Sequence, residues 1–379
     1  MPKKPAAGTA PQEKKPGKTT RPSDTRVTMT DVALKAGVSQ STVSLVLNGM
    51  TGTKLSDETR AKVIKIAGEL GYRLPDRRAT GAASRRGKSA GLPVILYLVD
   101  EMSTSPHPVL SIDGAKDEAW GQGALVSVFA TRTNESVESA VLSTMLSNPQ
   151  VIGVIYSTIF TRAITLPEPL TRVPTVLLNC READVPANAP PRLSSVEPSE
   201  IMGGMLATQH LLDAGHKRIA FINGEPWMDA SQDRLKGYRR ALTSMDIPFD
   251  AALVREGDWH VASGHDCTLA LMKQPHPPTA IFCANDLMAL GCLQALQQLG
   301  KEVPRQVSVM GYDDQEIARH TYPPLSTLVL PNYEMGRLAV ETLLAELAQP
   351  TRPKRRLKVE GQLVSRGTVA TRTLATRKR

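Results

Sequence analysis

Four cysteines in 379 residues, Cys180, Cys267, Cys283 and Cys292, are too few for a disulfide framework. None forms a CxxC pair or has a histidine at zinc-ligand spacing, so no structural metal is expected. No run of about 18 apolar residues is present, which argues against a membrane-spanning helix. The first twenty residues are basic but hold no apolar core that could serve as an export signal. No Ser-His-Asp set, glycine-rich phosphate loop or metal cluster stands at a strand end. Asp313 and Asp314 are chain neighbours, which point apart on an extended backbone. The expectation is therefore a cytoplasmic protein with no cofactor, no metal and no membrane partner, and not an enzyme. No repeat at a solenoid period is found.

What is present is length and an uneven charge. A 379-residue chain with 41 % hydrophobic residues exceeds what one core can hold, because single cores stop growing at about 250 to 300 residues. The net charge is +9, but residues 1–90 carry 18 Lys+Arg against 7 Asp+Glu and residues 350–379 carry 10 against 1. Between them, residues 91–349 carry 18 against 29. Basic ends on an acidic body suggest one part that meets phosphates and one that does not.

Residues 1–26, rich in Lys, Pro, Ala and Thr, lack the apolar content to offset ordering entropy and are expected to be a disordered basic tail. A compact helical unit follows at 27–74. The stretch PDRRATGAASRRGKSAG, residues 75–91, is the natural linker, and residues 373–379 form a second basic tail. Across 92–372 short apolar runs alternate with amphipathic stretches: PVILYLV, ALVSVFA, VIGVIYS, VPTVLLN, RIAFING, LVREGDW, TAIFCAND and QVSVMGYDD. That alternation predicts parallel sheets wound by helices on both faces, as one large sheet or two smaller ones.

In VTMTDVALKAGVSQSTVSLVLNG, a helix at Asp31 to Lys35 is predicted to meet a second at a turn where Gly37 can take positive φ. Ser39 can cap the second helix. Val43, Val46 and Leu47 recur at helical spacing and face inward, while Gln40, Ser41, Ser44, Leu45 and Asn48 share the opposite face. That face suits a major groove, since Gln can pair with adenine, Ser can reach bases or phosphates, and Leu can touch a thymine methyl. A third helix is predicted from Ser56 as cap, with Asp57 and Glu58 at its positive end, stopping at Gly71.

DVALKAGVSQSTVSLVLNG and DETRAKVIKIAGELGY resemble the headpiece of the lactose-repressor (LacI/GalR) family. The resemblance assigns base reading to Gln40, Ser41 and Leu45, and phosphate contacts to Ser39, Thr42, Ser44 and Asn48. Leu45 stands where well-known members carry arginine, and Met50 to Lys54 is a longer loop than many have. The linker departs more. The family's hinge helix wedges a leucine into the minor groove, but here Ala82 or Ala83 occupies that place beside Gly81. Arg77, Arg78, Arg85 and Arg86 surround it and imply a grip on phosphates or the minor groove instead.

The resemblance continues through TQHLLDAGHKRIAFING, DRLKGYRRAL, REGDW, TAIFCANDLMALG, VPRQVSVMGYDDQEIARH and PPLSTLVLPNYEMGRLAVETLL. It implies an all-α helix-turn-helix headpiece on an α/β periplasmic-binding-protein-like core of two doubly wound parallel-sheet lobes. The N-lobe is expected at about 92–195 and 325–348, the C-lobe at about 196–324 and 349–372. A sugar needs planar groups for paired hydrogen bonds and an aromatic platform. Asn179, Asn285 and Asp313 stand at strand ends, Arg234 opens the DRLKGY helix, Trp259 ends REGDW, and Ser157 ends VIGVIYS. The first five match the family's effector positions one by one and Ser157 is a further candidate, while STSPHPVL at 103–110 replaces an aromatic pair many members carry there. The runs ITLPEPL, VLLNCREADVPANAP and PPLSTLVLP resemble sucrose-operon repressors, which implies sucrose or a related fructoside or disaccharide. The expected protein is a nucleoid-associated repressor of sugar uptake or catabolism genes, a homodimer on a pseudo-palindromic DNA operator, whose affinity a sugar changes. A transport binding protein of the same core fold would need an export signal and no helix-turn-helix.

Overall fold

A computed structural model describes residues 29–47, 55–72, 91–186 and 188–372, in two compact units divided at Asp76 and Arg77. The first tail, most of the linker and the last seven residues lie outside the described residues.

The first unit holds α1 (Met29–Ala36), α2 (Gln40–Leu47) and α3 (Asp57–Glu69). Gly37 turns the chain between α1 and α2 at φ +67°, where a side chain would be strained. Ser39 Oγ then accepts from Thr42 N at 3.1 Å, and Ser56 Oγ accepts from Thr59 N at 3.2 Å, so both predicted caps are made. Val32, Ala36, Val43, Val46, Val63 and Ile66 form one small core. Chain reversal after α3 falls at Gly71, as expected, with φ +70°.

The second unit runs β1 (Val94–Val99), α4 (His107–Gly121), β2 (Leu125–Ala130), α5 (Glu135–Leu146), β3 (Val151–Ile164), β4 (Thr175–Glu182) and β5 (Ser194–Pro198). It continues through α6 (Glu200–Asp213), β6 (Ile219–Asn223), α7 (Asp229–Ser244), β7 (Val254–Glu256), α8 (Val261–Met272), β8 (Ala280–Cys283), α9 (Asp286–Gln298) and β9 (Ser308–Met310). It closes with α10 (Ile317–His320), β10 (Thr327–Leu328), α11 (Asn332–Ala348), β11 (Arg356–Val359) and β12 (Leu363–Val364). Two parallel sheets result, in the orders β11-β5-β4-β3-β1-β2 and β7-β6-β8-β9, with β10 and β12 as a short antiparallel pair. Central strands such as VILYLV and IAFIN are buried along nearly their whole length, as strands covered by helices on both faces must be.

Two lobe boundaries need correction. Residues 349–372 were expected wholly in the second lobe, yet β11 pairs with β5, Arg356 opposite Ser195, and closes the edge of the first sheet. Residues 325–330 were expected in the first lobe, yet Ser326 and Val329 bridge to Met310 and Asp313 in the second. The first lobe is thus 92–198 and 331–359, and the second 199–330 and 360–372. Strand β11 is only four residues, RLKV, and its one short alternation sets Leu357 and Val359 against the core of the first lobe. It is held by backbone bonds and by ion pairs, Lys358 to Glu197 at 3.2 Å and Lys354 to Glu346 at 2.5 Å. The chain passes between lobes three times, and these crossings are tied together: Ser199 N donates to Val359 O at 2.8 Å and Val329 N to Gln362 O at 2.8 Å. The strand expected across LVREGDW is confined to β7, leaving Gly257 to Trp259 as a loop.

Candidate functional site

In the first unit, α2 turns Val43 and Val46 into the core and leaves Ser39 exposed and Thr42, Ser44 and Leu45 partly exposed. The Ser39 hydroxyl also lies 2.9 Å from Thr42 Oγ1, so the two share the capping of the helix start. Gln40 and Ser41 occupy the first turn of α2. Asn48, Arg77, Arg78, Ala82, Arg85 and Arg86 lie outside the described residues.

In the second unit the helix packing decides where the polar groups meet. Helices α6 and α7 cross so closely that a Cβ on Gly204 would lie 2.4 Å from the Arg234 carbonyl oxygen. That crossing sets Glu200, at the start of α6, against Arg234, which lies in the second turn of α7 and not at its opening. Arg234 Nε and Nη2 donate to Glu200 at 2.7 and 2.8 Å, and Nη1 donates to the Ala284 carbonyl. The guanidinium also lies 3.7 Å from the Tyr312 ring centroid and 5.7 Å from that of Trp259. Burial opposes its charge, but the attraction of Glu200, with Tyr312 and Asp313 nearby, prevails and the group is held protonated. Asp313 Oδ1 stands 3.7 Å from Arg234 Nη2.

Three of the six candidate positions have left-handed backbone: Asn179 at φ +59°, Trp259 at +71° and Asp313 at +102°. Such geometry costs a non-glycine residue about 1 to 3 kcal/mol, and it concentrates at functional sites. Trp259 Nε1 is buried with no hydrogen-bond acceptor among the described residues, a donor that a bound acceptor would satisfy. Asn285 is different. Its Oδ1 caps α9 through Met288 N at 2.8 Å and its Nδ2 donates to the Trp259 carbonyl at 2.9 Å. It fixes the Trp259 loop, and its amide is largely spent doing so.

On the first lobe, Asn179 Nδ2 donates to Thr158 O at 3.0 Å and Oδ1 accepts from Thr161 at 2.5 Å, holding the irregularity where β3 shifts register between Ser157 and Arg162. Ser157 is buried and accepts from the Tyr97 hydroxyl at 3.3 Å; burial pushes that phenol up to about 12. Ser157 and Asn179 line a cavity of about 10 Å³ with His107, Ser111 and Asn332. His107 joins the lobes: its Nε2 lies 3.4 Å from Asp313 Oδ2 and its Nδ1 3.2 Å from Asn332 Nδ2. Two more contacts cross between lobes, Arg181 to Asp229 at 2.6 Å and Phe160 edge-on to Trp227 at 5.5 Å. Thus Arg234, Asp313 and Trp259 converge, and Ser157 and Asn179 face them through His107. Glu200, His107, Phe160 and Trp227 were not expected. Only the SPHP string at the start of α4 offered a signal, a proline-marked helix opening.

Residues 28–74 match the lacI family of bacterial regulatory proteins, and residues 208–369 match the periplasmic binding protein-like domain. The chain belongs to the lacI family. It is 34 % identical over 343 residues to the ribose operon repressor of Haemophilus influenzae, covering 90 % of this chain and 98 % of that one. It is 35 % identical over 337 residues to the HTH-type transcriptional regulator CelR of Thermobifida fusca, covering 86 % and 95 %. Among solved structures, the lac repressor dimer bound to operator and the anti-inducer ONPF superposes with TM-score 0.61 at 30 % identity, covering 91 % of this chain and 99 % of that one. The CelR–cellobiose complex gives 0.59 at 31 %, covering 90 % and 100 %. This LacI-family member is therefore a DNA-binding transcriptional regulator and not an enzyme. The sucrose resemblance finds no echo in these names, which are those of ribose, cellobiose and lac regulators. Among the described residues no three His, Cys, Asp or Glu side chains are grouped to hold a metal, and no helix is long and apolar enough to cross a membrane.

Proposed function

We propose that this regulator represses genes for the uptake or catabolism of a sugar, and that the sugar binds between the lobes at Arg234, Asp313 and Trp259. The observation that carries the reading is the convergence of a buried guanidinium, a buried carboxylate and an indole, the last two on strained backbone. A carboxylate and a guanidinium side by side accept from and donate to adjacent hydroxyls, and the indole offers a platform for C–H faces. Asn285, Asn179 and Ser157 complete the walls. Relatives named for ribose and cellobiose support a saccharide, and the sequence runs quoted above favour sucrose or another fructoside or disaccharide among them.

Gln40, Ser41 and Leu45 of α2 read base edges in a pseudo-palindromic operator, with Ser39, Thr42, Ser44 and Asn48 on phosphates and a homodimer presenting two headpieces. The reading places the protein in the cytoplasm on the nucleoid. Sugar changes operator affinity by shifting the lobes between two arrangements, and the contacts that must differ are His107–Asp313, Arg181–Asp229 and Phe160–Trp227.

The test is calorimetry on the full chain with ribose, cellobiose, sucrose and a purine base, beside operator fragments selected by the protein itself. One sugar should bind and change operator affinity, while Arg234→Ala should lose the sugar and keep the operator. Binding of the purine alone, or wild-type sugar affinity in Arg234→Ala, overturns the proposal.

A further inference from the structure

We infer that the effector is an uncharged polyol, and that Glu200 is the residue that shuts out its phosphate ester. The inference rests on the sugar-binding reading above and narrows it.

A phosphate or carboxylate is best held by the two parallel N–H groups of an arginine fork. Here that fork is taken. Arg234 Nε and Nη2 both donate to Glu200, at 2.7 and 2.8 Å, and Nη1 donates to the Ala284 carbonyl. The side chains of the pair are only 4 % and 5 % exposed, so solvent does little to loosen it. An incoming anion would have to displace Glu200 and leave a buried carboxylate unpaired, which is costly.

The charges around the fork point the same way. Glu200 and Asp313 flank the one guanidinium. Asp286 stands behind, its carboxyl held by Thr327 at 2.6 Å and Gln315 N at 2.7 Å. Burial, and after it the charge of Asp313, push the Asp286 carboxyl well up, so the negative charge beside the fork is that of Glu200 and Asp313. Basic side chains of the facing lobe are already matched, Arg162 with Asp100 at 3.0 Å and Arg181 with Asp229 at 2.6 Å, while His107 lies against Asp313. A dianion thus meets carboxylates and finds no free fork. A carboxylate accepts, so beside Gln315 Nε2, which donates to its Oδ2 at 3.1 Å, Asp313 calls for a ligand that donates. Sugar hydroxyls donate to Asp313 and accept from the N–H groups that Arg234 has left. Ester oxygens of a phosphate can do only the second.

The experiment is calorimetric titration of the full-length protein with ribose, cellobiose and sucrose and with ribose 5-phosphate, cellobiose 6-phosphate and sucrose 6-phosphate. For whichever parent sugar binds, the ester should bind at least about tenfold more weakly. In Glu200→Gln, with folding checked by its melting curve, that ratio should narrow by about tenfold, because the fork is no longer held by a charge. An ester that binds the wild type as tightly as its parent overturns the inference and leaves the sugar reading standing, and so does an unchanged ratio in folded Glu200→Gln. If neither parents nor esters bind, the sugar reading itself falls and this inference with it. Should Glu200→Gln fail to fold, the wild-type ratio alone decides.

Discussion

Gln40 begins α2, where a helix entering the major groove brings its first side chains to base edges. Gln40→Ala should change base preference at one operator position per half-site, at about 1 to 3 kcal/mol for each good pairing to a base that it removes. Selection of binding sites from random DNA checks it, and uniformly weaker binding with the same preferred sequence would show a role on phosphates alone. A second residue-scale effect concerns acid. Burial pulls His216 below its ordinary value of 6.5, with its ring nitrogens set against Ser308 at 2.9 Å and Thr279 at 3.1 Å. The unfolded chain therefore takes up the proton first, so this contribution to stability is complete above 6.5 and is lost as the pH falls below it toward the lowered value of the folded protein. His216→Gln should flatten the fall in denaturant midpoint below about pH 6.5. Burial shifts His210 the same way, so part of the slope should remain. An unaltered slope would refute the assignment to His216.

At the scale of elements, the α6–α7 crossing ties stability to the site. A Cβ on Gly204 would meet the Arg234 backbone, so Gly204→Ala must push α7 outward and draw Arg234 from Glu200. Overpacking of this kind costs about 1 to 3 kcal/mol, and the melting temperature should fall together with sugar affinity. A loss of stability with affinity unchanged would show that the site tolerates the shift. The same crossing explains what could be read from the chain and what could not. Strands such as VILYLV and IAFIN were legible because burial on both faces makes them continuous apolar runs. Strand β11 was not, because RLKV sits at a sheet edge and offers only Leu357 and Val359 to the core, beside a backbone ladder and a lysine ion pair. Arg234, Asp313 and Trp259 stood out through their motifs and strand-end positions. Glu200 did not, since only the helix crossing brings it to Arg234. His107 was missed for a like reason: nothing near it in sequence announces Asp313.

Across the whole molecule, charge is concentrated at the ends of the chain, with 18 Lys+Arg against 7 Asp+Glu in residues 1–90. If residues 2–26 grip phosphates, their deletion should flatten the slope of log affinity against log salt, by up to about 0.9 for each phosphate no longer neutralised, with the preferred operator unchanged. An unaltered slope would make the segment a spacer. The three crossings between lobes bear on a different matter, the order in which the protein comes off the ribosome. The first sheet cannot be completed until β11 emerges to pair with β5, Arg356 against Ser195, and the second lobe waits for Val364 and Thr368 to join Thr327 and Val309. Among the described residues, the headpiece core draws on none beyond Tyr72. Domains fold as they emerge, N-terminal first, so during each round of translation the DNA-reading unit is finished long before the unit that senses. A prematurely terminated chain would carry a folded headpiece joined to two lobes whose sheets never close.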